Sequence, residues 1–302
     1  MPDASVFDFK GYLKAKREMV DRALRGMFPA PEGLAADVVD AMTYSLFAGG
    51  KRLRPILCVA GAEAVGGSGA AVLPVACALE CIHTYSLIHD DLPVMDDDDL
   101  RRGKPTSHKV YGEALALLAG DGLLTEAFDI MTRPELIMGL PADRLLRAIH
   151  VIAHASGYNG MVGGQVVDIQ MEGRTADPGI VDFIHQHKTG DLITAAIISG
   201  AILGGGTEED VAALESYGRK IGMAFQISDD ILDIEGDQEI MGKPIGSDAA
   251  KQKMTYPALL GLEEARLVQK GLVEGAVEVI ACFDEAAEPL RHLAAYIIQR
   301  KR

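Results

Sequence analysis

Two acidic clusters, each joined to an apolar helical stretch, constrain this chain more than anything else in it. Between Asp90 and Asp99 six of ten residues are aspartate, and Arg101 and Arg102 follow directly. Carboxylates this crowded repel one another unless a cation or solvent neutralises them. The second cluster, Asp229, Asp230 and Asp233, lies inside the strongly apolar segment from Ile221 to Ile234. At about 100° per residue, Asp229 and Asp233 share one helical face with Asp230 beside them. Carboxylates among Ile, Leu, Met and Phe carry a large desolvation cost, which a bound cation would offset. A solvated turn explains one acidic run and leaves the second, set in an apolar helix, unexplained. Mg²⁺ takes carboxylate oxygens together with a substrate's phosphates. Guanidinium groups bind phosphate oxygens in pairs. Acid beside base near a helix end therefore points to a metal-bridged polyphosphate site.

Val and Ile are scattered among Ala, Leu, Met, Glu and Lys instead of alternating along strands, which predicts an all-α protein. With 48% hydrophobic residues and no repeat, low-complexity tract or linker, residues 1–302 read as a single domain. A net charge of −15 argues against nucleic acid and anionic membrane surfaces as partners, and the lack of Trp against a base-stacking platform. Cys77 and Cys81 lie one helical turn apart, but no further Cys or His completes a zinc set, so buried free thiols are expected at Cys58, Cys77, Cys81 and Cys282. No signal-peptide pattern and no apolar run of about 18 residues is apparent, so a cytoplasmic protein without stable membrane insertion is expected.

Amphipathic spacing predicts helices over 5–28 and 34–47, and an apolar helix from Ile56 to Val65. Gly49-Gly50-Lys51-Arg52-Leu53-Arg54-Pro55 brings backbone and three cations to that helix's entrance. A long helix from Val72 to Leu92 is expected to stop before Pro93. His83, Ser86 and Asp90 share one of its stripes, with Tyr85 beside them, and Asp96 must fold back from the following loop to join Asp90. Helices are also expected over 112–131 and 143–156, where the i, i+4 pair His150 and His154 is structural, and from Gly160 to near Met171. The apolar helix 180–203 is interrupted by Lys188-Thr189-Gly190, which predicts a kink turning a cation and a hydroxyl inward. Thr207 and Asp210 form a capping pair for the helix that carries Gln226 and the second cluster. Residues 236–254 read as a polar loop with Lys243 and Lys253, followed by helices over 255–283 and 286–299 and a basic tail.

These motifs resemble, essentially end to end, the trans-isoprenyl diphosphate synthases, and among them the bacterial farnesyl diphosphate synthases. Asp90-Asp91…Asp96 resembles the family's first aspartate-rich motif, and Asp229-Asp230-Ile-Leu-Asp233 the second. The Gly-Gly-Lys51-Arg52-Leu-Arg54-Pro, Arg101-Arg102-Gly, Lys188-Thr189-Gly and Gly-Lys243-Pro stretches, with Gln226, match as well. The resemblance implies a bundle of long antiparallel helices around a central cavity and a homodimer. It implies that Asp90, Asp91, Asp96, Asp229, Asp230 and Asp233 serve three Mg²⁺ per site, with Mn²⁺ able to substitute. Arg101, Lys188 and Lys243 would grip the allylic diphosphate. Lys51, Arg54, His83 and Arg102 would bind isopentenyl diphosphate, and Thr189 and Gln226 would present oxygens to an allylic cation. Tyr85 and Ser86, five and four residues before the first motif, would form the cavity floor and select a C15 product built from dimethylallyl and geranyl diphosphate. A geranyl or geranylgeranyl diphosphate synthase is the nearest alternative, and a non-catalytic subunit of a heteromeric synthase the alternative from another class. A terpene cyclase would leave Lys51, Arg54 and Arg102 unexplained, and a His-Asp phosphohydrolase built on His89-Asp90 would leave the second Asp cluster unexplained.

Overall fold

A computed structural model of the chain describes residues 7–28, 30–174, 177–235 and 253–299. Helices dominate it: α1 (Phe9–Met27), α2 (Ala36–Leu46), α3 (Leu53–Ala64) and α4 (Leu73–Asp90) come first. A two-residue hairpin follows, β1 (Leu100–Arg101) antiparallel to β2 (Lys104–Pro105). Then come α5 (Ser107–Tyr111), α6 (Glu113–Thr132), α7 (Ala142–Ser156), α8 (Met161–Met171) and α9 (Pro178–Ile184). A π-helical turn, His185–Gly190, joins α9 to α10 (Asp191–Gly204), and α11 (Glu208–Glu235) is the longest helix. The described chain closes with α12 (Tyr256–Leu260), α13 (Leu262–Val279) and α14 (Glu288–Gln299).

Sequence character sets which helices lie inside. Every residue of α10 from Leu192 to Leu203 is buried, and α3 is buried over most of its length. Helices apolar on all sides belong in an interior, and these two pack against each other. In α7 only a stripe including Leu145, Ala148 and Ile152 is buried, the spacing of an outer helix. Asp8 caps α1 by accepting from Gly11 N at 2.9 Å. Thr207 and Asp210 cap α11 reciprocally, at 2.9 and 3.2 Å, as their spacing predicts.

The all-α architecture holds, with four local differences. α4 ends at Asp90 and not at Leu92, since Leu92 precedes Pro93 and is excluded from helical geometry, so Asp91 becomes the cap. The Arg102-Gly103 turn, with φ of 54° and 75°, folds the hairpin out of a stretch read as loop. The helix expected over 255–283 breaks at Gly261, where φ is 82°. The kink at Lys188 is a full π turn. Cys58, Cys77 and Cys81 are buried free thiols, whereas Cys282 is exposed. None of the described helices is long and apolar enough to cross a membrane.

Candidate active site

A cavity of about 580 Å³ opens among α3, α4, α8, the π turn and α11. Both acidic clusters reach it. Asp90 arrives on the last turn of α4 and Asp229 from two turns before the end of α11. Arg54, Arg101, Arg102, Lys188, His83, Thr189 and Gln226 also line its wall, so residues far apart in sequence form one polar end. The same lining includes an apolar face, Met161, Val162, Val166 and Ile169 of α8, at helical spacing.

Asp90 holds its proton more tightly than a solvated carboxyl. Burial pushes it up to about 6; Asp96 and Asp91 add to the rise, while Lys188 and Arg101 oppose it. Donors here are carboxylate oxygens, the set that suits Mg²⁺ over softer ions. The loop does fold back as expected, since Asp96 N donates to Asp90 O at 2.8 Å. Lys253 Nζ stands 3.5 Å from Asp96 Oδ1, which ties the start of the last helical section to the first cluster.

The remaining aspartates are engaged differently. Asp91, 3% exposed, accepts from Arg101 Nε at 2.7 and 2.8 Å on its two oxygens, which fixes the guanidinium against the cavity. Burial raises the Asp91 pKa in spite of that arginine. Asp230 is equally buried and faces three groups of its own chain: His185 Nε2 at 2.7 Å, Tyr256 N at 3.0 Å and Gln226 Nε2 at 3.2 Å. Asp233 is buried one turn further along α11.

The cationic side has the same division. Arg52, in left-handed geometry at φ 54°, reaches Glu80, Asp21 and Leu46 O at 2.7–2.8 Å and holds the loop together. Arg54 faces the cavity instead. Burial lowers it to about 10, with Glu80 and Asp229 opposing and Arg102 adding, and its Nε has no hydrogen-bond partner among the described residues. A charged, under-paired guanidinium beside Arg102 is an anion site in waiting. His83 is held well below its usual value by burial and by Arg54, Arg102 and Arg101. Gly50, at φ 130°, holds a backbone conformation that favours glycine, and a Cβ there would press on the Arg102 guanidinium at 2.8–3.0 Å.

The π turn explains Lys188 and Thr189. An extra residue in the turn swings both side chains to the cavity, a geometry that recurs at functional sites. Thr189 Oγ1 donates to Gln226 Oε1 at 2.9 Å, and Lys188 Nζ donates to Asp168 Oδ2 at 2.6 Å. Gly164 lets α8 approach this turn, since a Cβ there would lie 2.3 Å from Lys188 N.

Not all expected residues meet in the cavity. Lys51 lines a neighbouring cleft of about 450 Å³ with Lys10, Lys14 and Arg17 on its rim, and Phe225 lines both spaces. Lys243 and the basic tail at 300–302 lie outside the described residues. Tyr85, 7% exposed, and Ser86 do line the cavity below Asp90. The Tyr85 hydroxyl is pushed up to about 12 by burial and by Asp90, and its ring packs edge-on to His89 at 5.6 Å. Asp168 and the apolar face of α8 were not singled out from sequence. Their signal is a single carboxylate in the apolar helix Met161–Met171, where Val162, Val166 and Ile169 recur at spacings of four and three.

The geometry brings two carboxylates, Asp90 and Asp229, together with Arg54, Arg101, Arg102 and Lys188 on the lining of one cavity that also has apolar residues of α8. Comparison with known proteins supplies the family. The polyprenyl synthetase family model matches residues 36–286, and the chain belongs to that family. It is 48% identical over 297 residues to a dimethylallyltranstransferase from Fischerella ambigua, covering 98% of this chain and 85% of the relative. It is 50% identical over 299 residues to a chloroplastic geranylgeranyl pyrophosphate synthase from Arabidopsis thaliana, covering 97% and 82%. Among solved structures, an apo FPP/GFPP synthase from Zymomonas mobilis superposes with a TM-score of 0.86 at 38% identity, over 96% of this chain and 99% of that one.

Proposed function

We propose that the protein condenses isopentenyl diphosphate with dimethylallyl and then geranyl diphosphate to give farnesyl diphosphate, in a Mg²⁺-dependent reaction. The carrying observation is the convergence of Asp90 and Asp229 with Arg54, Arg101, Arg102 and Lys188 at the polar end of one apolar-walled cavity. Asp90 and Asp229, with Asp96 in support, would hold Mg²⁺, which when bound would neutralise charge on the departing diphosphate. Arg101 and Lys188 bind that diphosphate, stabilising charge as it develops when the C–O bond breaks. Arg54, Arg102 and His83 hold the second diphosphate, so that the isopentenyl double bond is positioned to attack. Thr189 and Gln226 direct oxygens toward the carbocation, and the apolar wall of α8 keeps water from it. The proton lost at the end is accepted by the released diphosphate.

Tyr85 closes the tunnel beneath Asp90 and carries the C15 reading. A C20 product is the second reading, favoured by relatives at 47–50% identity that are named geranylgeranyl synthases. Labelled isopentenyl diphosphate with dimethylallyl or geranyl primer, Mg²⁺ and a chelator control separates them. A C15 diphosphate that disappears on chelation supports the proposal. A C20 product keeps the class and removes Tyr85 as the floor. No condensation from either primer brings the non-catalytic-subunit reading forward. A homodimer in the cytoplasm completes the proposal; one relative is named as the large subunit of a heterodimeric synthase, and light scattering of the purified chain tests self-association.

A further inference from the structure

Tyr85 has a neighbour on the cavity wall that is itself held from outside the cavity. His89 stands one turn after Tyr85 on α4, and both side chains line the cavity. Their rings meet edge to face, with centroids 5.6 Å apart and planes at 82°. Aromatic rings favour that arrangement, and it sets the tilt of each ring against the other.

Behind His89 lies α6, none of whose described residues lines the cavity. His89 Nε2 stands 3.0 Å from Leu117 O. A carbonyl oxygen only accepts, so Nε2 carries the proton and tethers the ring to the α6 backbone. Asp121 Oδ1, 3.8 Å from the same nitrogen, favours the same tautomer. The ring fits there because position 120 is glycine. A Cβ on Gly120 would lie 2.1 Å from His89 Nε2 and 2.4 Å from its Cδ2. Gly120 is buried inside α6, where glycine is a poorer helix former than alanine. The room it leaves for the imidazole gives it a purpose.

Given Tyr85 as the floor of the proposed prenyl synthase, we propose that His89 and Gly120 are positioning residues for product length. The imidazole, braced on α6, holds the Tyr85 ring across the cavity. Chain length then depends on α6 as well as on α4. H89A removes the brace, so that Tyr85 tilts into the vacated space and the cavity deepens. G120A drives the imidazole off α6 toward the cavity it lines, which makes the cavity shallower. The two changes act in opposite directions, a pattern that general loosening of the fold would not produce.

The test is the product distribution of wild type, Y85A, H89A, H89F and G120A from dimethylallyl diphosphate, labelled isopentenyl diphosphate and Mg²⁺. Product ratios are read within one reaction, so a partly unfolded variant loses yield without moving them. H89A should raise the ratio of C20 to C15 product at least about tenfold, the low end of what a change in apolar pocket fit commands. G120A should raise the share of C10, and H89F, which keeps a ring behind Tyr85, should stay close to wild type. Wild-type ratios in both H89A and G120A, with a longer product from Y85A, would overturn the proposal and leave the floor standing. Lengthening by H89F equal to that by H89A would do the same. An unchanged product from Y85A would overturn floor and brace together, and a wild type that condenses nothing would overturn the enzymatic reading beneath both.

Discussion

Asp90 and Asp91 stand at the last turn of α4, followed by a loop and a hairpin, whereas Asp229, Asp230 and Asp233 all lie on helical backbone in the last two turns of α11. At a helix end the backbone is free to turn. Asp96 comes back to Asp90, Asp91 takes up Arg101, and the hairpin sends two arginines into the cavity. Within a helix each side chain has a fixed bearing. Asp229 is partly exposed on the cavity wall, while Asp230 points to His185 and Tyr256 in the interior. One cluster is thus assembled by chain geometry around its carboxylates, and the other is divided by helical geometry into a working face and a supporting one.

Asp90→Asn and Asp229→Asn test the shared part of that comparison and should show the largest effects. Each is expected to lower kcat by at least about 10²–10³-fold, because each removes charge stabilisation where the leaving group departs. Single-turnover rates with geranyl diphosphate would check this, and turnover within tenfold of wild type would remove that residue from the wall's chemistry.

Asp230→Ala tests the division within α11. It leaves the buried His185 Nε2 and Tyr256 N without their acceptor, at a combined cost of about 3 kcal/mol. Urea unfolding of the metal-free protein should show that loss. Asp229→Ala should retain more stability than Asp230→Ala despite the greater harm to turnover. The reverse order would mean that both aspartates act alike.

His83 sharpens the first half of the comparison through pH. Its folded value is depressed below 6.5 by burial and neighbouring arginines. Below pH 6.5 the unfolded chain therefore binds a proton that the folded one refuses, and stability falls as pH drops. The slope from this residue is at most about 1.4 kcal/mol per pH unit, reduced by the water of the cavity. The difference in unfolding free energy between wild type and His83→Gln, followed from pH 7 to pH 5, should shift against wild type as pH falls. A pH-independent difference would show that His83 titrates normally.

The smallest effects on turnover are expected one turn below Asp90. Tyr85→Ala should lengthen the product and Ser86→Phe should shorten it, the first with a stability loss of its own because the ring is buried. Product chain length by chromatography is the readout, and an unchanged distribution in both variants would place the floor elsewhere.

Periodicity and local chemistry made much of this legible beforehand. The apolar helices, the Thr207–Asp210 cap, the fold-back of Asp96 and an inward break at Lys188-Thr189 all follow from residues within a turn or two of one another. The hairpin escaped because two residues at positive φ, Arg102 and Gly103, created it where composition suggested only loop. Asp168 escaped because its partner, Lys188, is twenty residues away and on another element.

Sequence alone therefore determined that two carboxylate sets and several cations sit on apolar helices, since spacing and desolvation are local quantities. Tertiary structure alone decided which members work together. Arg52 went to Glu80 while Arg54 turned to the cavity, and Lys51 fell into the neighbouring cleft. Asp230 went to His185 while Asp229 stayed on the wall. Side chains one or two residues apart leave a helix at widely different bearings, and what each one meets depends on elements packed against it from distant parts of the chain.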